Sequence, residues 1–177
     1  SEKVEQLYID NLKNVKKAIK IPVAMKVGPH FSAFANMAGK LDKAGADALV
    51  LFNRFYQPDI DLKTLEVEPN LHLSSSHEMR LPLRCIAVLY GQIKASLAAT
   101  TGIHSAEDVV KMVMVGADVT MMASVLLKEG IDKMGDIFNN LKQWMLENEY
   151  ESIEQMKGSM SYQAVANPAA FERANYI

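Results

Sequence analysis

Residues 95–124 read ASLAATTGIHSAEDVVKMVMVGADVTMMAS, and this stretch decides how the rest of the chain is interpreted. It predicts a buried strand from Ala95, a Thr-Thr-Gly turn, a helix, a second buried strand from Asp118 and a turn of small residues. Ser105, followed three positions later by Asp108, is typical of a helix start. Backbone amides at strand ends and helix starts can face an anion. Two adjacent turns of this kind therefore predict a phosphate site.

The same alternation of strand and helix precedes this stretch. The pattern predicts a helix over 2–20, a strand over 23–28, a helix from Ser32 to Gly45 and a second buried strand over 48–53. Short connections between such units imply parallel strands with right-handed crossovers. The sequence therefore predicts an α/β fold with four βα units. A doubly wound sheet and a barrel both satisfy the pattern.

Residues 54–80 interrupt this rhythm. Apolar and polar residues alternate around 65–67 and 71–73, which predicts two strands with a turn near Pro69 and Asn70. The segment is too long for a plain connection, so we expect it to be functional. Helices are then predicted from Pro82 to Tyr90, over 132–147 and over 153–160, whereas 164–177 show no regular pattern.

Composition excludes several classes of protein. The chain has 177 residues, which suits one domain, and its formal net charge of −2 disfavours a nucleic-acid partner. No apolar run approaches about 20 residues, so no membrane span is expected. Cys85 is the only cysteine, which excludes an internal disulfide and fits the cytoplasm. Its apolar neighbours predict a buried, unreactive thiol.

Two candidate site residues stand at the ends of the first two strands. Alternation places Val23, Met25 and Val27 on the face toward the helices and Lys26 on the opposite face. A cation there can stabilise an electron-rich ring or bind a carboxylate; the alternative is a lysine at a solvated strand end. Asn53 can donate and accept at once, which suits a planar heterocycle, although a simple turn residue explains it equally well.

The other candidates form the expected phosphate cradle. Thr100, Thr101 and Gly102 end the third strand, and Ala123 and Ser124 end the fourth. Barrels often bind phosphate at the ends of two neighbouring strands. The histidines are less informative: His104 is expected only to line the site, and the others lack metal-ligand spacing, so no metal is expected. No Gly-rich dinucleotide motif, P-loop or GxSxG motif occurs in the sequence.

Four segments resemble the C-terminal half of the dihydroorotate dehydrogenase family. They are IPVAMKVGPHF (21–31), GADALVLFNRFYQPDIDLKTLEV (45–67), the stretch 95–124 and YESIEQMKGSMS (150–161). Members of this family are FMN-containing (β/α)8 TIM barrels that oxidise dihydroorotate to orotate in pyrimidine biosynthesis, or act on related pyrimidines. The resemblance therefore implies an FMN-dependent oxidoreductase with a pyrimidine-like substrate.

The resemblance also implies roles for individual residues. Lys26 matches the family lysine that contacts the flavin ring, and Asn53 lies near asparagines that touch flavin and substrate. Thr101 and Gly102 match the glycine pair that binds the FMN phosphate through backbone amides. Ala123 and Ser124 match the family's Gly-Thr at the end of strand eight. Threonine and alanine thus replace two glycines, which crowds the phosphate and makes a positive φ less accessible.

The resemblance covers only strands five to eight of the family barrel. Residues 1–177 are therefore expected to be an incomplete fragment that is inactive by itself, with the catalytic base, a cysteine or serine in the family, in the other half. Open sheet edges at Val23 and Val119 predict pairing with a second copy, as a homodimer, or with the rest of the chain. Two alternatives stay open: a phosphate-binding barrel lyase or isomerase without flavin, and a non-catalytic fragment.

Overall fold

A computed structural model describes residues 2–55, 57–69 and 71–172. Helices and strands alternate along these ranges, and a short 3-10 helix over Ser76–Met79 precedes α3. The strands are β1 (Ala24–Val27), β2 (Ala48–Leu51), β3 (Asp59–Asp61), β4 (Glu66–Glu68), β5 (Ser96–Thr100) and β6 (Val119–Met121). The helices are α1 (Glu2–Ala18), α2 (Phe34–Lys43), α3 (Arg80–Leu89), α4 (Ala106–Val115), α5 (Ser124–Glu129), α6 (Lys133–Glu147), α7 (Ile153–Met156) and α8 (Ala169–Glu172).

The central sheet has four parallel strands in the order β1-β2-β5-β6. The order of the strands in this sheet therefore follows their order along the chain and does not reverse. A doubly wound sheet reverses its order at a switch point and carries helices on both faces. The described part of the chain does neither, because the core that joins sheet and helices takes its sheet residues from one face. The predicted α/β fold with a parallel sheet is confirmed.

Side-chain alternation along the strands separates a packed face from an open one. Val27 is buried and Met25 is packed against the core, whereas Lys26 is exposed on the other face, as predicted. On the central strands, Leu49 and Leu97 belong to the same core. The open face carries Lys26 in register with Val50, which itself pairs with Ala98. On this face the edge residues Lys26 and Val119 are exposed, whereas Val50 and Ala98 between them are buried.

Within the described ranges, β1 and β6 are the edges of this sheet, as the sequence predicted. On β6, Val119 is 53% exposed and Met121 is 43% exposed. An unpaired parallel edge with apolar side chains favours association. All four strands run in the same direction. The β1 edge of one sheet could therefore pair in parallel with the β6 edge of another.

The predicted interruption of the βα rhythm contains an antiparallel hairpin of β3 and β4. Its turn lies at 62–65, so the predicted turn near Pro69 is wrong, and Asn70 lies outside the described residues. The cause is local: the Asp61 carboxylate accepts the N–H of Lys63 at 2.7 Å and that of Thr64 at 3.4 Å, which fixes a turn immediately after β3. The described residues of 71–73 form no strand.

Two helical segments begin with a capping box. Ser105 and Asp108 form the predicted capping box at the start of α4. A second capping box, Ser75 with Glu78, opens the 3-10 turn ahead of α3. The helical segment therefore begins well before Pro82, where the sequence placed its start. In the described ranges, no helix combines the length and the apolar character needed to cross a membrane.

Candidate functional site

The seven candidate residues line one cavity of about 170 Å³ at the carboxyl ends of the parallel strands. Each strand contributes to it in turn. The candidates are Lys26 from β1, Asn53 after β2, Thr100, Thr101 and Gly102 at the end of β5, and Ala123 and Ser124 after β6. The remaining lining residues are Phe52, Arg54, Ser74, Ile103, Met121 and Met122. The geometry thus brings together positions that are up to 98 residues apart, from Lys26 to Ser124.

The first two strands hold Lys26 and Asn53 in fixed register. The N–H of Asn53 donates to the carbonyl of Val27 at 2.7 Å, which extends the pairing of β1 and β2 beyond their last paired residues. Lys26 lies on the open face of the sheet, one residue before the end of β1. Both residues therefore belong to the rim where parallel α/β folds carry their sites.

The Thr-Thr-Gly turn places two successive residues at positive φ. Thr101 has a φ of 80° and Gly102 a φ of 76°. A β-branched residue rarely adopts this conformation, which costs about 1–3 kcal/mol. The Thr101 hydroxyl donates to the carbonyl of Phe52 at 3.4 Å and so helps hold the turn. Thr101 therefore has a backbone conformation that glycine adopts more readily.

The other replaced glycine needs no such accommodation. Ala123 precedes α5 with a φ of −134° and a ψ of −50°, outside the left-handed region. An L-residue with a side chain adopts a negative φ without the penalty that favours glycine. Alanine at this position is therefore compatible with the local backbone.

Ser74 is a site residue that sequence reasoning missed. It is only 3% exposed and lies between the two turns of the cradle. Its N–H donates to the Ser124 hydroxyl at 3.0 Å, and the N–H of Gly102 lies 3.4 Å from its Oγ. The run of three serines at 74–76 was visible in the sequence, but nothing local indicated that its first member reaches the ends of β5 and β6.

The segment 74–78, called the strap below, is also fastened at its middle and at its C-terminal end. The Ser76 hydroxyl donates to Asp108 at 2.8 Å. Arg54 donates to Glu78 from Nη2 at 2.7 Å and from Nε at 3.0 Å. Burial alone would raise the pKa of Glu78, but the Ser75 N–H and Arg54 outweigh it and hold that pKa below its ordinary value. The strap is therefore a defined wall of the cavity.

Two amides immediately before α4 are already hydrogen-bonded within the chain, which differs from the sequence expectation that they face an anion. The carboxylate of Asp108, only 4% exposed, accepts the N–H of His104 at 3.0 Å and that of Ser105 at 3.2 Å. The capping box therefore occupies these two donors. The turn at Gly102 and the turn at Ala123 and Ser124 also line the cavity.

His104, which was expected to line the site, lies next to the cavity instead. His104 is not among the described lining residues of the cavity; its Nε2 lies 3.2 Å from Ser74 Oγ. No group of three His, Cys, Asp or Glu side chains suited to a metal ion occurs in the described ranges. Burial raises the pKa of the Cys85 thiol to about 11, which agrees with the predicted unreactive cysteine.

A second cavity, of about 420 Å³, adjoins the first. The two share Phe52, Asn53, Arg54 and Thr101 as lining residues. Phe55 also lines the second cavity, where its ring packs against His30 with 4.5 Å between ring centroids. The rim of the sheet thus offers a small polar cavity beside a larger one with aromatic walls.

Comparison with known proteins places this chain in a family. The family model described as dihydroorotate dehydrogenase matches residues 2–145. Similar curated proteins include the dihydroorotate dehydrogenase B (NAD(+)) catalytic subunit of Saccharolobus solfataricus, 28% identical over 151 residues that cover 82% of this chain and 51% of that protein. The protein of the same name from Methanothermobacter thermautotrophicus is 25% identical over 150 residues, covering 81% and 49%. The chain spans about half the length of the curated relatives it matches. By the family match over most of its length, the chain belongs to the dihydroorotate dehydrogenase family.

Proposed function

We propose that this chain forms the phosphate-binding side of an FMN-dependent oxidoreductase of the dihydroorotate dehydrogenase type. The substrate is dihydroorotate or a related pyrimidine. One observation carries the proposal: in a chain of this family, the ends of four successive strands bring Lys26, Asn53 and both small-residue turns to one cavity. Relatives named as catalytic subunits of dihydroorotate dehydrogenase B support the reaction class and a further partner subunit.

The smaller cavity fits a phosphate by its charge and its donors. Among its described lining residues, none is acidic and two are cationic: Lys26, and Arg54, which is paired with Glu78. Hydroxyl groups of Ser74 and Ser124 and the amide of Gly102 stand around the same space. Hydrogen bonds from such donors to a phosphate are charge-assisted and therefore strong. The residues present therefore fit the phosphate of a flavin nucleotide.

The larger cavity supports the assignment of a ring system. Phe52 and Phe55 offer apolar walls, and Asn53 offers both a donor and an acceptor at the boundary of the two cavities. A bound flavin supplies reversible two-electron chemistry, which amino-acid side chains lack. Lys26 then acts by placing a positive charge beside an electron-rich ring, where it stabilises negative charge.

The fold supports assembly into a closed barrel of eight strands, of which this chain supplies four. Its open face, its two free edges and its exposed Val119 are what closure would cover. We propose a homodimer as the form of the isolated chain. The catalytic base then lies outside the cavity described above. Size-exclusion chromatography with light scattering tests the assembly: twice the chain mass is expected, and a stable monomer contradicts it.

Quenching of flavin fluorescence tests the function directly. Titration of FMN with the chain should give saturable quenching, and ribose 5-phosphate should compete much more weakly because it lacks the ring. Equal binding of both compounds would favour the alternative, a phosphate-binding lyase or isomerase without flavin. A complete absence of FMN binding would contradict the proposal.

Lys26→Met gives the residue-level test. Loss of a charged donor is expected to weaken FMN binding about tenfold. Lys43→Met is the matched control, because Lys43 is an exposed lysine on α2 that does not line the cavity. If both variants bind FMN equally well, Lys26 has no role at the ring.

A further inference from the structure

Two side chains of helix α5 hydrogen-bond to the main chain of Ser74, one at its N–H and one at its carbonyl. The hydroxyl of Ser124 accepts the Ser74 N–H at 3.0 Å, and Lys128 Nζ donates to the Ser74 carbonyl at 2.9 Å. Residues four apart lie on the same face of a helix, so Ser124 and Lys128 form a two-pronged clip. The strap is thus attached to α5 through the main-chain N–H and carbonyl of Ser74, and not through the Ser74 side chain.

This clip determines where the Ser74 side chain points. With its main-chain N–H and carbonyl both bound by α5, Ser74 has its Oγ 3.4 Å from the Gly102 nitrogen and 3.2 Å from His104 Nε2. Ser74 therefore connects the turn after β6 with the turn after β5. Because the side chain is almost completely buried, its hydroxyl has few alternative orientations.

We propose that Lys128 is a positioning residue for the phosphate site: it fixes Ser74 between the two turns so that the donors around a bound anion are preformed. The inference rests on the proposed function and deepens it. Lys128 is exposed and is not among the described lining residues of the cavity. Its effect on an anion therefore passes through Ser74. Because the donors are preformed, binding of the anion does not have to order the strap, and the free-energy cost of binding is lower.

Two substitutions separate this role from simple attraction between charges. Lys128→Gln removes the charge but keeps an N–H donor, whereas Lys128→Met removes both from a side chain of similar length. A positioning role makes methionine worse than glutamine. A purely electrostatic role makes the two variants equally poor and their effect strongly dependent on salt.

Amide exchange followed by NMR and titration with inorganic phosphate give the decisive readouts. In Lys128→Met, exchange of the Ser74 and Gly102 amides should accelerate about tenfold and phosphate binding should weaken about tenfold, since a charged donor is lost. Lys128→Gln should stay within about threefold of the original chain in both readouts, since an amide donor retains a neutral hydrogen bond. Lys142→Met, which removes an exposed lysine over the Phe138 ring of α6, is the matched control and should change neither.

The outcomes are distinguishable. Unchanged exchange of the Ser74 amide in Lys128→Met overturns the positioning role, and so does an equal loss of phosphate binding in the glutamine and methionine variants. Thermal melts verify that each variant is folded. If the unmodified chain binds neither phosphate nor FMN, the proposed function fails, and amide exchange alone still decides whether Lys128 positions Ser74.

Discussion

Replacement of Gly102 by alanine is the most informative perturbation of the fold around the site. Gly102 has a φ of 76°, and a Cβ added there would lie 2.5 Å from the Met79 nitrogen and 2.8 Å from the Ser75 carbonyl oxygen. Both atoms are backbone atoms, so no side-chain rotation relieves the contact. The strap must move away from the turn after β5, and Ser74 must move with it.

The magnitude follows from two separate costs. The left-handed conformation costs an L-residue about 1–2 kcal/mol, and forcing atoms into a packed region costs about 1–3 kcal/mol. Gly102→Ala should therefore lower the free energy of unfolding by about 2–5 kcal/mol. Urea unfolding followed by circular dichroism measures this quantity, provided that the dependence on urea concentration is unchanged.

Two other glycines serve as controls. Gly45 has a φ of 100°, but an added Cβ would meet only the Lys16 Cε at 3.9 Å, an ordinary contact. Gly45→Ala should therefore show the conformational cost alone, about 1–2 kcal/mol. Gly39 lies within α2 with no described atom within 4 Å of an added Cβ, so Gly39→Ala should stabilise the chain by about 0.5–1 kcal/mol. If Gly102→Ala costs no more than Gly45→Ala, the close approach of the strap is refuted.

Three further predictions concern charged and titratable groups. Asp108→Asn should cost about 1.5–3 kcal/mol in urea unfolding, because the buried carboxylate accepts three hydrogen bonds; an unchanged midpoint would contradict this. The folded-state pKa of Glu78 lies below its ordinary value of 4.5, so its contribution to stability is present above that pH and is lost as pH falls through the folded pKa. The melting temperature of the original chain should therefore exceed that of Glu78→Gln at neutral pH, and the two should converge in acid. A difference that does not depend on pH would argue against the pairing with Arg54. With a pKa near 11 in place of 9.0, Cys85 should react with iodoacetamide about 100-fold more slowly in the folded chain than in urea, and equal rates would show that the thiol is accessible.

Local chemistry made part of this structure predictable from sequence. Alternation along 23–28 correctly separated Lys26 from the packed face, because a strand in a covered sheet must turn its larger apolar residues toward the helices. The Ser105 and Asp108 pair correctly marked the start of α4. The convergence of strand ends on one cavity also followed, since parallel strands bring their carboxyl ends to the same edge.

Contacts between distant segments escaped prediction. Ser74 meets Ser124 across 50 residues, and neither position carries a periodic signal that would pair them. The hairpin turn was misplaced because a Pro-Asn pair looked stronger than Asp61, whose carboxylate in fact fixes the turn. The sequence also predicted free amides ahead of α4, where Asp108 in fact accepts the N–H groups of His104 and Ser105. In the last two cases a carboxylate, that of Asp61 or of Asp108, accepts the backbone amides concerned.

Comparison of FMN with riboflavin tests the central claim most directly, because the two ligands share the ring system and differ in the phosphate. The quantity is the dissociation constant of each from the chain, measured by fluorescence quenching in a buffer without phosphate. Since charge-assisted hydrogen bonds to the phosphate are strong, FMN should bind at least about tenfold more tightly than riboflavin. Equal affinity for the two flavins would show that the cavity between Gly102 and Ser124 is not a phosphate site.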